Sequence, residues 1–165
     1  MLNRPTPDRR IFLVAVDGSV ESVLAAERAF ELASSERHDE IVLTAVLSKR
    51  SPTSVKIGDH ELKLGRAANE DETKEERDAL QKMLEYTRGC FVAKKFTGRV
   101  TLRVEEGEPK ETILGLCKFL SVDYLIVGSR GLNKARALLG TTSNYLVSHA
   151  PCPVLVVRGE EVKNE

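Results

Sequence analysis

No charge of one sign prevails in this 165-residue chain: 25 Lys+Arg face 25 Asp+Glu, for a formal net charge of zero. A general nucleic-acid binder draws its affinity from surplus positive charge meeting phosphates. A polybasic membrane-surface protein needs the same surplus, so both classes are excluded for the chain as a whole. A local basic patch around one small anion is not. No apolar run approaches the roughly 18 residues that a membrane helix requires. Cysteine is scarce: Cys90, Cys117 and Cys152 are odd in number, far apart in sequence and without a CxxC pairing. A disulfide framework or a zinc site does not follow from such spacing, and a reduced, cytoplasmic domain is expected. The first ten residues, MLNRPTPDRR, hold two prolines and lack the apolar core of a secretory signal. They are expected to be a disordered leader, followed by one domain over 11–158 and a charged tail over 159–165. At this length a single domain buries a core without covalent staples.

Five short apolar runs are rich in branched residues: 11–16 (IFLVAV), 41–47 (IVLTAVL), 99–104 (RVTLRV), 124–127 (YLIV) and 153–157 (PVLVV). Most are continuous, as in strands covered on both faces of a parallel sheet. The third alternates Val100, Leu102 and Val104 with Thr101 and Arg103, which suits a half-exposed edge strand. Helical patterns fill the gaps. Residues 19–37 place Val23, Ala26, Phe30 and Ala33 on one face, with Ser19 as N-cap and Glu21 at the positive end of the helix dipole. Residues 69–96 read as one long helix with a charged start. Pro109 opens a helix at its first turn, and Ile113, Leu116, Cys117 and Leu120 form its apolar stripe. A last helix covers 141–148 and is stopped by Pro151 and Pro153. Strand alternating with helix predicts an α/β fold with a parallel sheet and right-handed crossovers. Residues 48–68 fit either a small hairpin or a flap beside a site.

The chemically informative stretch is 127–143, VGSRGLNKARALLGTTS. It begins where the fourth strand ends, and open parallel sheets bind ligands outside the carboxyl ends of their strands. Gly128, without a Cβ, lets another group approach the backbone closely. Gly131 suits a left-handed turn. Gly140 precedes Thr141, Thr142 and Ser143, which open a helix whose unpaired N–H groups and partial positive charge favour phosphate. Ser129 lies in the same connection, and Arg130, Lys134 and Arg136 make it basic within a neutral chain. Glycine turns and a hydroxyl N-cap are the bland alternative for each feature taken singly; the combination is stronger.

On these residues the chain resembles the universal stress protein family, whose signature is G-x2-G-x9-G-[ST]. Here Gly128 and Gly131 are followed by eight residues and then Gly140 and Thr141. VDYLIVGSRGL before the loop and LLGTTSNYLVSHAPCPVLVV after it are similar too, as are VAVDGS and VEEGEPKETIL. The resemblance implies an open five-stranded parallel sheet, order 3-2-1-4-5, with helices on both faces. It implies an adenine-nucleotide-binding stress-response or signalling module, with ATP or a related nucleotide as ligand. Gly128, Ser129, Arg130, Gly131, Gly140, Thr141, Thr142 and Ser143 would then hold phosphates and ribose. Asp17 would lie near ribose and phosphates, through a divalent cation such as Mg or Mn if one is bound. The Val46 backbone would meet the adenine edge, and Ala15 and Val127 would line the base pocket. A homodimer through the last strand, Val154, Leu155, Val156 and Val157, is also implied. The loop is one residue shorter than the family pattern. That leaves a harmless trim or an interaction module without nucleotide as alternatives. A slow ATPase is a third, although no catalytic base is evident in the sequence.

Asp17 has its own plain reading, since Asp-Gly-Ser after a strand is ordinary turn chemistry. His38, His60 and His149 show no ligand spacing. Cys117 belongs to an apolar stripe and is expected in the core, while Cys152 between two prolines is expected to be accessible.

Overall fold

The computed structural model describes residues 9–48, 53–57, 60–64, 70–91, 96–129 and 139–159. Five strands form the main sheet: β1 (Ile11–Ala15), β2 (Glu40–Leu47), β5 (Arg99–Glu106), β6 (Tyr124–Gly128) and β7 (Val154–Val157). Their spatial order is β5-β2-β1-β6-β7, which in the count of core strands is 3-2-1-4-5. Every pairing is parallel, with Leu13 of β1 opposite Val42 on one side and Leu125 on the other. Four helices cover the sheet: α1 (Val20–Leu32), α2 (Glu70–Phe91), α3 (Pro109–Phe119) and α4 (Thr141–His149).

Strand alternation divides the interior into two cores. Phe12, Val14, Ile41, Leu43 and Ile126 pack with Ala25, Ala26 and Ala29 of α1 and with Leu80, Met83 and Leu84 of α2. Leu13, Val42, Leu125 and Val127 pack on the opposite face with Ile113, Leu116 and Cys117 of α3 and Leu146 of α4. Val100, Leu102 and Val104 reach the first core from the edge strand β5, as their alternation predicts. Between β2 and α2, β3 (Thr53–Ile57) and β4 (His60–Leu64) pair antiparallel. Of the two readings of 48–68, this is the hairpin; its Gly58 and Asp59 lie outside the described residues.

Local chemistry sets the helix ends. Ser19, extended at φ −69° and ψ 155°, caps α1 by accepting the Ser22 N–H on its hydroxyl at 3.2 Å. Pro109 begins α3, where its missing N–H costs nothing. α1 stops at Leu32, five residues before the boundary expected from its pattern (33–37 are not helical). The reason is Asp39, fully buried at the N-terminal rim of the sheet. Its carboxylate accepts the Ser34 N–H at 2.8 Å, the Arg10 N–H at 2.8 Å and the Arg10 guanidinium at 2.7 Å. Burial alone would push the Asp39 carboxyl up, but these bonds outweigh it and hold the carboxyl below its ordinary value. The expected leader therefore needs correction at its end. Arg10 is bound to Asp39 and Arg9 pairs with Glu40, because β1 and β2 begin side by side there. Residues 1–8 and 160–165 of the expected leader and tail lie outside the described residues.

Candidate functional site

The chain leaves β1 for α1 on one face and leaves β6 for α4 on the other. The C-terminal ends of β1 and β6, which are neighbours, thus mark the point where connections diverge, and such sheets place ligands there.

Asp17 follows β1 at that rim. Its Oδ1 accepts the Ser19 N–H at 2.9 Å and the Ser19 hydroxyl at 2.5 Å, while its own N–H donates to the Ser22 hydroxyl at 3.3 Å. The Asp-Gly-Ser turn chemistry is therefore present, and it fixes the carboxylate beside the crevice. Gly128, the last residue of β6, has its open side filled by α1. A Cβ there would lie 2.7 Å from Glu21 Cβ and 2.8 Å from the Glu21 carbonyl carbon. The close approach expected of this glycine is real, and the approaching group is helix backbone.

The β6–α4 connection closes on itself at its ends. Gly140 N–H donates to the Ser129 carbonyl at 2.7 Å, Ser129 N–H donates to the Val157 carbonyl at 2.8 Å, and the Ser143 hydroxyl donates to the Gly128 carbonyl at 2.7 Å. These three bonds seat the start of α4 against β6 and β7. Gly140 is the N-cap, at φ −63° and ψ 158°, and as glycine it offers no side-chain oxygen to the helix start. The first bond of the helix runs from Asn144 N–H to the Gly140 carbonyl at 2.9 Å. The N–H groups of Thr141, Thr142 and Ser143 have no partner among the described residues. Three open amides at the positive end of a helix dipole form an anion-accepting surface. Arg130, Gly131, Lys134 and Arg136 lie outside the described residues.

On the other side of β1, the Thr44 carbonyl accepts the Val16 N–H at 2.8 Å, so the backbone of Thr44 turns toward β1. Strand alternation turns Val46 the same way, but β1 has ended at Ala15. The N–H and C=O of Val46 thus face past the end of β1, with no partner among the described residues. A paired donor and acceptor of this kind matches the edge of a planar heterocycle. Ala15, Val46 and Val127 share the sheet face that carries α3 and α4, so the three expected liners of a base pocket stand together.

At the sheet edge, β7 pairs with β6 on one side and with no strand on the other among the described residues. Leu155 is 38% exposed, while Val154 and Val156 pack on the second core and Val157 on the first. His149 ends α4, with Nδ1 2.9 Å from the Tyr145 carbonyl and its ring stacked on Tyr145. His38 and His60 are exposed.

Two features were not read from the sequence. Cys117 and Cys152, 35 positions apart, meet in the second core. Burial, then the neighbouring Cys152, push the Cys117 thiol up to about 12, so it stays neutral at physiological pH and is no nucleophile. Thr44 is the other: its hydroxyl is fully buried, with no hydrogen-bond partner among the described residues. Its signal was present, as the one polar residue within IVLTAVL.

A doubly wound parallel sheet with backbone groups open, among the described residues, at its switch point defines the class: an α/β protein of the kind that places ligands at its strand ends. The particular family follows from the comparisons. The model of the universal stress protein family matches residues 8–158, and the chain belongs to that family. A Staphylococcus haemolyticus protein described as a universal stress protein is 31% identical over 156 residues, covering 93% of this chain and 87% of the relative. Among solved structures, the universal stress protein UspA of Lactobacillus plantarum superposes with a TM-score of 0.71 at 25% identity, covering 90% of this chain and 97% of that one. A universal stress protein family member of Arabidopsis thaliana with AMP bound gives a TM-score of 0.59 at 22% identity, over 94% and 96% of the two chains.

Proposed function

We propose that this protein is an adenine-nucleotide-binding module of the stress-response or signalling type, acting as a homodimer. The observation that carries the reading is the pair of backbone sets, at the C-terminal ends of β2 and β6, that have no partner among the described residues. The amides of Thr141, Thr142 and Ser143 suit phosphate, and the Val46 peptide suits a base edge. The AMP bound to the Arabidopsis relative supports the ligand class. Gly140 N–H donates to the Ser129 carbonyl at 2.7 Å, which keeps the start of α4 at the end of β6 as this reading requires.

ATP is the nucleotide that this reading favours, because three adjacent amides at the start of α4 suit linked phosphates. A divalent cation would draw one protein ligand from Asp17 and the rest from phosphates and water. No group of three or more His, Cys, Asp or Glu suited to a metal occurs among the described residues. Backbone amides bind phosphate and are not themselves proton acceptors, so this reading takes the site as one for binding the nucleotide. The edge of β7, which pairs with no second strand among the described residues, is the dimer surface in this reading, since an apolar edge recruits a second chain. The cytoplasm, where thiols stay reduced, suits free Cys117 and Cys152 standing side by side.

Calorimetric titration of ATP and AMP into purified protein tests the reading. Saturable binding is expected, with a loss of at least about tenfold in Gly140→Val, equivalent to about 1.4 kcal/mol. The Gly140 backbone angles are ones a valine adopts, so the variant should fold. Absence of binding to the wild type overturns the proposal. Light scattering tests the assembly: Leu155→Glu should turn a dimer into a monomer, and a monomeric wild type would contradict the edge pairing.

A further inference from the structure

Among the described residues, Thr44 Oγ1 is the one buried side-chain polar atom without a hydrogen-bond partner. Thr44 is 1% exposed. Buried polar groups are nearly always bonded, and an unbonded one in a native fold requires a reason. Leaving it so costs free energy that a valine of the same shape would avoid.

Position supplies the reason. Thr44 is opposite Ala15 of β1 and Arg103 of β5. Along β2, Ile41, Leu43, Ala45 and Leu47 enter the first core, and Val42 and Val46 pack on the second. Alternation therefore puts the Thr44 side chain between Val42 and Val46, on the α3 and α4 face, next to Ala15. Toward the rim its neighbours Ala15 and Val46 are only half-buried. These two residues are the ones that the nucleotide reading assigns to the base.

We propose that the Thr44 hydroxyl is a specificity-determining contact, hydrogen-bonding the heterocyclic base of the bound nucleotide at the floor of the pocket lined by Ala15, Val46 and Val127. This inference rests on the nucleotide reading and adds a residue to it. A hydroxyl both donates and accepts, so it meets a ring nitrogen or an exocyclic amine. It forfeits no bond within the protein when the base arrives, so the bond it makes counts in full toward affinity. A site with a buried group waiting for a partner also disfavours ligands that cannot supply one.

The test titrates AMP and ATP into wild type, Thr44→Val and Thr44→Ser, and records thermal melting of each protein without ligand. Thr44→Val is expected to melt at or above the wild-type temperature, because it removes an unbonded hydroxyl, and to bind both nucleotides about 5–30-fold more weakly. Thr44→Ser keeps the hydroxyl and should bind within about threefold of wild type, a difference below 1 kcal/mol. Wild-type affinity in Thr44→Val overturns this inference and leaves the nucleotide reading standing. Equal weakening in both variants assigns the effect to shape and also overturns it. A lower melting temperature in Thr44→Val means that the hydroxyl is bonded within the protein, with the same consequence. A wild type that binds neither nucleotide overturns both readings.

Discussion

The two rims of the central sheet are built in opposite ways. At the N-terminal rim, one buried carboxylate, Asp39, gathers the backbone of Arg10 and Ser34 and the Arg10 guanidinium, closing the start of β1, the end of α1 and the start of β2 into one bonded knot. At the C-terminal rim, the Val46 peptide, the Thr44 hydroxyl and the first three N–H groups of α4 have no partner among the described residues. A fold gains nothing from unsatisfied polar groups, which cost free energy when they leave water unbonded. Their concentration at one rim, opposite the bonded knot at the other, is the basis on which we propose that the C-terminal rim meets the ligand.

Gly128 breaks this division most sharply, because it stands at the open rim and yet serves packing. Gly128→Val should strongly destabilise the fold, since the new side chain would begin 2.7–2.8 Å from Glu21 Cβ and carbonyl carbon, so that α1 would have to shift. Far-UV circular dichroism of the purified variant checks this. A folded Gly128→Val protein that has lost only nucleotide binding would return Gly128 to the ligand site. Next in size is Asp39→Asn at the closed rim. It should lower unfolding free energy by about 2–3 kcal/mol, as expected when charged hydrogen bonds are removed, with unchanged nucleotide affinity. Urea titration and calorimetry together read both quantities.

Acid should act on the same knot. The folded Asp39 carboxyl is held below its ordinary value of 3.8, so the unfolded chain takes up the proton first. The stability it contributes is complete above the unfolded value and is lost as pH falls below it toward the folded value. The wild type should therefore lose stability on acidification below about pH 5, and Asp39→Asn should lose less over the same interval, as melting temperatures at stepped pH would report. The smallest effect belongs to Thr141→Ala, at an exposed residue of the open rim. It should weaken nucleotide binding by about 1 kcal/mol, one ordinary hydrogen bond, and leave the melting temperature unchanged.

Much of the fold was legible because periodicity is a local property. The five branched runs became the five strands of the sheet, the edge alternation of Val100, Leu102 and Val104 held, and the Ile113, Leu116 and Cys117 stripe is buried as its spacing requires. The strand order came from family resemblance and matches the observed topology. What escaped was non-local. Residues 33–37 carry no helix breaker, and α1 ends before them because Ser34 N–H goes to Asp39 and Ser35 Oγ accepts the Thr97 N–H at 2.9 Å. Arg10 resembled part of a leader until Asp39, 29 positions away, was seen to hold it. Gly128 was correctly expected to permit a close approach, but only the packing of α1 reveals what approaches. The Val46 backbone was reached through the family resemblance alone, because open backbone groups leave no mark of their own in sequence: any residue carries them.

Amide NMR during addition of AMP tests the contrast between the rims most directly. Resonances of Val46, Thr141, Thr142 and Ser143 should move with saturable dependence on ligand, while those of Arg10 and Ser34 stay in place. Stationary signals at the C-terminal rim, or shifts confined to the other end of the sheet, would contradict the assignment of the unsatisfied rim to the nucleotide.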